Sequence, residues 1–149
     1  MSRPAPHRLA DYPYSQKITT RWMDNDAYGH VNNVVYYSYF DTVVNTYLIE
    51  QGALDIATSP VIGLVVETGC QYFASLTYPE VVTAALRVAH VGRSSVRYEI
   101  ALFGEAHATA AAQGFFVHVY VDRASRRPTE LPPALRQALA PLVTPGTVP

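Results

Sequence analysis

The chain has 149 residues, of which 49% are hydrophobic and 15% are charged, as is typical of one domain with its own core. Its formal net charge is -1 and its arginines are scattered, so it lacks the basic stripe of a nucleic-acid-binding protein. Its single cysteine, Cys70, excludes a disulfide within the chain, and no apolar stretch approaches the ~18 residues of a spanning helix. We therefore expect one cytoplasmic domain, residues 1–149 with a core at about 14–140, without a nucleic-acid or membrane partner.

The first predicted elements are a strand and a long helix. Alternating β-branched and aromatic residues predict a strand from Tyr14 to Trp22, and a turn-rich loop follows from Met23 to Asn32. Asn32 is a suitable N-cap and Gly52 a suitable stop, so we expect a helix from about Asn33 to Gln51. The apolar residues of this helix recur at four-residue spacing and form one wide face: Val35, Tyr39, Val43 and Tyr47, with Tyr36, Phe40, Val44 and Leu48 beside them.

The second half of the chain predicts a sheet and a short closing helix. Four segments rich in Val, Ile, Thr, Tyr and Phe are expected to be strands: Pro60 to Leu76, Glu80 to His90, Ser94 to Phe103 and His107 to Asp122. Because short turns separate them, we expect successive strands to pair antiparallel. A short helix is expected around Leu135 to Leu142. The fold class is therefore α+β, with one long helix packed on a mainly antiparallel sheet.

The loop before the long helix carries more polar chemistry than a turn requires. A calcium loop starting at Asp24 fails, because Tyr28 and Val35 stand where the fifth and twelfth ligands belong. His30 has no second histidine or cysteine nearby, so we expect no metal site. The sequence also lacks the G-x-S-x-G elbow of serine hydrolases and a glycine-rich phosphate loop.

What remains is a carboxylate ahead of a helix N-terminus. Asp26 lies seven positions before Asn33, the first predicted helical residue, whose N–H has no partner inside the helix and lies at the positive end of the helix dipole. Such an N–H can bind an oxyanion, and a carboxylate can act as base or nucleophile toward an activated acyl group. From the residues alone, the commoner role of an aspartate in this position is that of a simple turn former.

A family resemblance favours the catalytic interpretation. The string D-x-D-x-x-G-H-V-N-N-x-x-Y-x-x-Y-F-D, from Asp24 to Asp41, resembles the signature of hotdog-fold acyl-CoA thioesterases of the 4-hydroxybenzoyl-CoA thioesterase type. Three later segments, "YPE", "HVGRSSVRYEIALF" and "VHVYVDR", resemble that family in order and spacing. The resemblance implies a hotdog fold, in which a curved antiparallel sheet wraps one long helix.

The resemblance also implies roles for individual residues. Asp26 corresponds to the family's catalytic carboxylate, and the backbone N–H of Asn33 to the group that polarises the thioester carbonyl. Asp24 is expected to shape the loop, and Gly29 to supply a backbone conformation that a β-carbon would penalise. The resemblance suggests these residues around the substrate: Gly29, His30, Asn32, Tyr36 and Glu67. For Tyr36 and Glu67, packing in the core or at the pocket wall remains the alternative.

Coenzyme A is expected as part of the substrate, with no separate cofactor. The resemblance suggests that Arg93, Ser94 and Ser95 contact its phosphates, and arginine suits phosphate because of its fixed fork of donors. A solvated hairpin arginine is the alternative. The family also implies a homodimer or homotetramer, with sheets paired edge to edge and the site between subunits.

Three other functions remain open at this level. A hotdog hydratase or dehydratase would use Asp26 and His30 as an acid–base pair on enoyl or 3-hydroxyacyl thioesters. A non-catalytic acyl-thioester binding module would need no carboxylate in the loop. An acyl carrier protein could replace coenzyme A as the acyl donor. The acyl chain length and the pathway are not encoded in any local pattern.

Overall fold

The computed structural model describes residues 4–144, which form a five-stranded sheet and two α-helices. The elements in chain order are β1 (Tyr14–Thr19), α1 (Asn33–Glu50), β2 (Val61–Tyr72), β3 (Val81–Val91), β4 (Ser95–Phe103), β5 (Ala112–Asp122) and α2 (Pro133–Leu139). Short 3-10 turns lie at Leu9–Asp11, Trp22–Asp24 and Ala140–Leu142. The α+β class predicted from the sequence is confirmed.

The strand order is β1-β3-β4-β5-β2, and all neighbours are antiparallel. The expected pairing of successive strands holds for β3, β4 and β5. It is wrong for β2, which pairs with β5 instead of β3. The reason is the connection through α1, which carries the chain from β1 at one edge of the sheet to β2 at the other. The chain then returns across the sheet to begin β3 beside β1.

Three strands are shorter than the sequence predicts. β1 ends at Thr19 because the chain turns at Trp22–Asp24, and the hydroxyl of Thr20 donates to the Glu80 carbonyl. β2 ends at Tyr72, four residues before Leu76, whose carbonyl instead accepts from Val31 in the loop before α1. β5 begins at Ala112 rather than His107. At the end of β2, a backbone carbonyl that a longer strand would have used therefore binds another segment.

Helix α1 closely follows its predicted bounds. The side chain of Asn32 accepts from the N–H of Val34 at 3.0 Å, and Gly52, with φ of +72°, follows the last turn. The buried residues of α1 are Tyr36, Tyr39, Phe40, Val43, Val44, Tyr47 and Leu48. The ring of Phe40 meets that of Phe116 on β5, with 5.9 Å between centroids. Within residues 4–144, no helix is both long enough and apolar enough to cross a membrane.

Strand β2 forms an edge of the sheet and exposes apolar side chains along its middle. Leu64, Val65 and Val66 are 40%, 48% and 59% exposed, and the register with β5 shifts between Val65 and Glu67. An apolar edge of this length is a surface on which another strand can pair.

Gly114 on β5 has no side chain, which allows the backbone of β2 and the Phe40 ring of α1 to pack directly against it. A β-carbon there would overlap the carbonyl oxygen of Gly69 on β2 and lie 2.6 Å from the Phe40 ring. We expect Gly114→Ala to lower the free energy of unfolding by about 1–3 kcal/mol, the usual cost of overpacking, as measured by urea denaturation. Gly69→Ala is the matched control, because its β-carbon would meet the rotatable ring of Phe115. If Gly114→Ala and Gly69→Ala lowered the free energy of unfolding equally, the close packing at Gly114 would not be the cause.

Candidate active site

The loop before α1 folds into a compact turn around Asp26. The Asp26 N–H donates to the His30 carbonyl at 2.8 Å, and the Gly29 N–H donates to the Asp26 carbonyl at 3.1 Å. One carboxylate oxygen of Asp26 accepts from the Tyr28 N–H at 2.8 Å. Gly29 has φ of +80°, as the sequence suggested. The turn therefore holds the carboxylate of Asp26 in one position and leaves its second oxygen available.

The segment after β2 fastens this turn to the sheet. The Val31 N–H donates to the Leu76 carbonyl at 2.8 Å, and the Thr77 hydroxyl donates to the Gly29 carbonyl at 2.7 Å. The Tyr78 N–H donates to the Asn25 side chain at 3.0 Å. Sequence reasoning missed Leu76 and Thr77, because they are more than forty residues away along the chain and carry no local signal.

Asp24 is the buried anchor of the loop. Its side chain is 1% exposed and accepts from the Tyr39 hydroxyl at 2.7 Å and from the backbone and guanidinium of Arg21 at 2.9–3.0 Å. Burial alone would raise the pKa of this carboxyl, but the hydrogen bonds from Tyr39 and Arg21 outweigh burial and hold the pKa below its ordinary 3.8. The Asp24 carbonyl accepts from the Asn32 N–H at 2.9 Å. Asp24 thus links the loop to the residue before it, Arg21, and to the helix after it, through Tyr39 and Asn32. These contacts are consistent with a loop-shaping role.

Asn33 is the first residue of α1, and its N–H makes no hydrogen bond within the described part of the chain. Asn33 lines a cleft of about 290 Å³. The cleft is lined by His30, Val31, Asn33, Tyr36, Tyr72, Phe73, Ala74 and Ser75. A free N–H at the positive end of a helix, in a cleft, can stabilise a developing oxyanion.

Two tyrosines form one wall of the cleft. The rings of Tyr36 and Tyr72 meet edge to face with 5.0 Å between centroids, and the Tyr72 hydroxyl donates to the Asn33 carbonyl at 3.0 Å. Burial raises the pKa of Tyr36, and the nearby charge of Asp26 adds to the shift. Burial also raises the pKa of Tyr72. Both phenols are therefore protonated at neutral pH.

The predicted site residues at the start of α1 come together in one place. This group consists of Asp26, Gly29, His30, Asn32, Asn33 and Tyr36. His30 contributes its carbonyl to the turn and lines the cleft, and the Asn32 side chain caps the helix. Within residues 4–144, no group of three or more His, Cys, Asp or Glu side chains is close enough to hold a metal ion.

Glu67 lies away from this group within one chain. It pairs with Val117, and Phe116 packs on α1, so alternation turns Val117 and Glu67 to the opposite face of the sheet. Glu67 is exposed and lies five strand residues, about 17 Å, from Tyr72 at the cleft. One chain alone therefore does not bring Glu67 to the substrate position suggested by the sequence.

Arg93, Ser94 and Ser95 lie at the far end of the sheet from Asp26. Strand β3 separates their turn from the loop anchor at Thr77, a span of about 33 Å at ~3.3 Å per residue. The turn is held by its backbone: the Arg93 carbonyl accepts from Leu131 at 3.0 Å, and the Ser94 carbonyl from Tyr120 at 2.7 Å. Within one chain, this turn and the loop that holds Asp26 therefore lie at opposite ends of β3.

Solved structures with this architecture include close and distant relatives. The PA5185 protein of Pseudomonas aeruginosa PAO1 is 54% identical over 95% of this chain and 99% of its own, with a TM-score of 0.92. The PA2801 protein of the same species is 27% identical over 87% and 99%, with a TM-score of 0.79. A thioesterase of Thermus thermophilus, solved with coenzyme A and Zn, is 26% identical over 89% and 95%, with a TM-score of 0.71. No curated protein matches the sequence.

The long helix on a curved antiparallel sheet is the hotdog fold, and the chain is a thioester hydrolase of that fold. It belongs to the Thioesterase-like superfamily, whose family model matches residues 20–139. The match covers the loop, α1, all of β2 to β5 and α2.

Asp24 is expected to make the stability of the folded chain decrease as the pH falls into the acid range. Because its folded-state pKa is depressed, its stabilising contribution is complete above the unfolded value, near 3.8, and is lost as the pH falls through the folded pKa. We expect Asp24→Asn to reduce the free energy of unfolding at pH 7, and the difference from wild type to shrink below about pH 4. Urea denaturation at several pH values measures both. If the difference in unfolding free energy between wild type and Asp24→Asn stayed constant down to about pH 2, the charge of Asp24 would contribute nothing to stability.

Proposed function

We propose that the chain hydrolyses acyl-CoA thioesters to a free acid and coenzyme A, as an enzyme of the 4-hydroxybenzoyl-CoA thioesterase type. The observation that carries this proposal is the turn that holds the Asp26 carboxylate ahead of α1, where the N–H of Asn33 is free. Asp26 supplies the base or nucleophile, and the Asn33 N–H supplies the oxyanion donor.

Two routes use the same groups. In one, Asp26 takes a proton from water, whose oxygen attacks the thioester carbonyl; the C–S bond then breaks and the thiolate leaves with a proton. In the other, the carboxylate attacks the carbonyl directly, displaces the thiolate and forms a mixed anhydride that water hydrolyses. In both, negative charge develops on the carbonyl oxygen, which the Asn33 N–H and the helix dipole stabilise.

The substrate contacts proposed here come from more than one chain. Gly29, His30, Asn32 and Tyr36 surround the reacting group, whereas Arg93, Ser94 and Ser95 of another subunit contact the coenzyme A phosphates. The Thermus thermophilus thioesterase, solved with coenzyme A, supports this donor class. Coenzyme A enters as part of the substrate, so the reaction needs no further cofactor. With one cysteine and no disulfide within the chain, we assign the enzyme to the cytoplasm.

The assembly that would bring these contacts together is a dimer paired through β2, with two dimers forming a tetramer. The apolar middle of β2 is exposed at the sheet edge, and pairing with a second copy would satisfy its backbone and cover Val65 and Val66. The outward-facing Glu67 would then lie close to the axis between the two chains.

Asp26→Asn tests the chemistry. The amide cannot accept a proton or attack the carbonyl, so we expect thiol release to fall at least about 100-fold in kcat. The assay follows free thiol from short, medium, long, aryl and hydroxyaryl acyl-CoAs. Asp41→Asn is the control, since Asp41 is exposed on α1 and bonds only Asn45. If the Asp26→Asn rate equalled that of wild type, Asp26 would be a turn residue without a catalytic role. A hydratase or a non-catalytic binding module would then be the better hypothesis.

A lysine pair in the middle of β2 tests the dimer. We expect Val65→Lys with Val66→Lys to shift the protein toward monomer, because charged side chains would replace the apolar ones that pairing would cover. Sedimentation velocity measures the mass, and thiol release should fall with it. Val143→Lys, an exposed apolar residue far from β2, is the control. A wild type that is monomeric at working concentration would contradict the two-chain site.

A further inference from the structure

A cavity of about 560 Å³ lies on the outer face of the sheet, the face turned away from α1. Phe116 packs on α1, so alternation along β5 turns the neighbouring Phe115 to this outer face. Glu99 on β4 and Gly69 on β2 pair with Phe115 and form the floor of the cavity with it. The volume is within the usual range of small-ligand pockets, and the cleft at Asn33 lies on the side of α1 instead.

The N-terminal segment forms one wall of the cavity, with Pro4, His7 and Tyr12. The Gln113 side chain on β5 accepts from the His7 N–H at 2.8 Å and donates to the Ala5 carbonyl at 3.2 Å. Nδ1 of His7 is hydrogen-bonded to the Tyr12 hydroxyl at 2.8 Å. The cavity is therefore a space between this fastened segment and the sheet, and not an open area of sheet surface.

Three charged side chains line the cavity, and their charges do not balance. Glu99 accepts from Nε of Arg87 at 2.8 Å, and its second carboxylate oxygen lies 3.7 Å from Nε of Arg97. Arg87 also donates to the Asp11 carbonyl at 3.1 Å. Burial and the charge of Arg87 lower the pKa of His7, so this ring adds no charge at neutral pH. Two arginines therefore share one carboxylate, and one positive charge is left without a partner.

Arg97 has donors available for a ligand. Its guanidinium carbon lies 3.9 Å from the centre of the Phe115 ring, which holds the plane of the donor fork in place. Arg97 makes no hydrogen bond with any of residues 4–144, and its contact with Glu99 is too long for one. The Arg97 side chain is 33% exposed, so much of it has left water without gaining a hydrogen bond. A charge in such surroundings costs free energy, which a bound anion would offset.

We propose that this cavity binds a small organic monoanion, a carboxylate whose oxygens accept from the free fork of Arg97. A guanidinium offers two parallel N–H donors that match the two oxygens of a carboxylate. A dianion such as a phosphate would place a second negative charge beside Glu99, where only one positive charge is left to pair. Tyr12 and Phe115 supply apolar surface for a hydrocarbon body. Binding here requires neither Asp26 nor the cleft at the start of α1.

The probes are benzoate and hexanoate, with benzamide and hexanamide as neutral counterparts of nearly the same shape. Calorimetric titration of the whole chain measures each affinity. We expect at least one carboxylate to bind about tenfold or more tightly than its amide, because hydrogen bonds to a charged group are the stronger ones. Phenyl phosphate, a dianion at about pH 8, should bind more weakly than benzoate. Equal affinities within both pairs, no binding at all, or tighter binding of phenyl phosphate would overturn the inference.

Four variants assign the binding to this cavity. Arg97→Gln removes the fork and should weaken benzoate at least about tenfold, and Arg97→Lys should restore part of the affinity through its charge. Gln71→Glu adds a negative charge to the cavity wall and should weaken benzoate but not benzamide. Arg127→Gln is the matched control, since it removes the same charge from an exposed position after β5. Thermal unfolding checks that each variant is folded. Benzoate affinity that is unchanged in both Arg97→Gln and Gln71→Glu rules the site out.

Benzoate can also enter the thioester cleft, so the bound molecule has to be located. Heteronuclear NMR spectra do this through backbone amide signals. At the outer cavity benzoate should shift the signals of Gly69 and Gly114, and Arg97→Gln should abolish these shifts. Shifts confined to Asn33 and Ala74 would place benzoate in the cleft alone and overturn the inference. Neither result depends on thiol release, so this site and the proposed hydrolysis are tested separately.

Discussion

The geometry of the candidate site depends on one buried carboxylate, Asp24, whose oxygens are bound by neighbouring side chains and backbone. Asp24 is held by the Tyr39 hydroxyl of α1 and by Arg21 of the preceding turn, and its carbonyl binds the residue that caps the helix. A charge in this position is stable only while every partner is in place, since an unpaired buried carboxylate is costly. The interaction therefore couples the direction of the loop to the start of α1, and the geometry at Asp26 and Asn33 follows from it.

That coupling is consistent with an accessible carboxylate at Asp26, the residue proposed as base or nucleophile. Asp26 makes its contacts in a tight turn through backbone groups, and only one of its carboxylate oxygens is engaged. The two neighbouring aspartates therefore lie in different surroundings: Asp24 is buried and accepts several hydrogen bonds, and Asp26 is half-buried in the turn ahead of α1. Preorganised donors and a fixed carboxylate cost little rearrangement when the substrate binds, which is how such sites lower a barrier.

The features of the structure that depend on neighbouring residues were predicted correctly from the sequence. The cap at Asn32, the stop at Gly52 and the apolar face of α1 depend on neighbouring residues, and all are found as predicted. The place of β2 was mispredicted because a strand's partner depends on the whole crossover, which period-two alternation does not encode. The cavity at Arg97 was missed for a related reason. Arg87 and Arg97 are two of the scattered arginines in the sequence, and only the pairing of β3 with β4 brings both to one carboxylate, Glu99.

Pairing of the exposed edge of β2 with a second copy would bring distant parts of two chains close together. Within a chain the cleft at Asn33 lies at the start of α1, and the turn at Arg93 lies at the opposite end of β3 from the loop anchor at Thr77. A two-fold axis through β2 would change these separations together, because antiparallel pairing sets the beginning of one strand beside the end of its copy. Each subunit would then give its Asp26 to one thioester and its Arg93 turn to the other, as proposed above. Dimerisation and assembly of the proposed two-chain site would therefore depend on the same feature, the pairing register of β2.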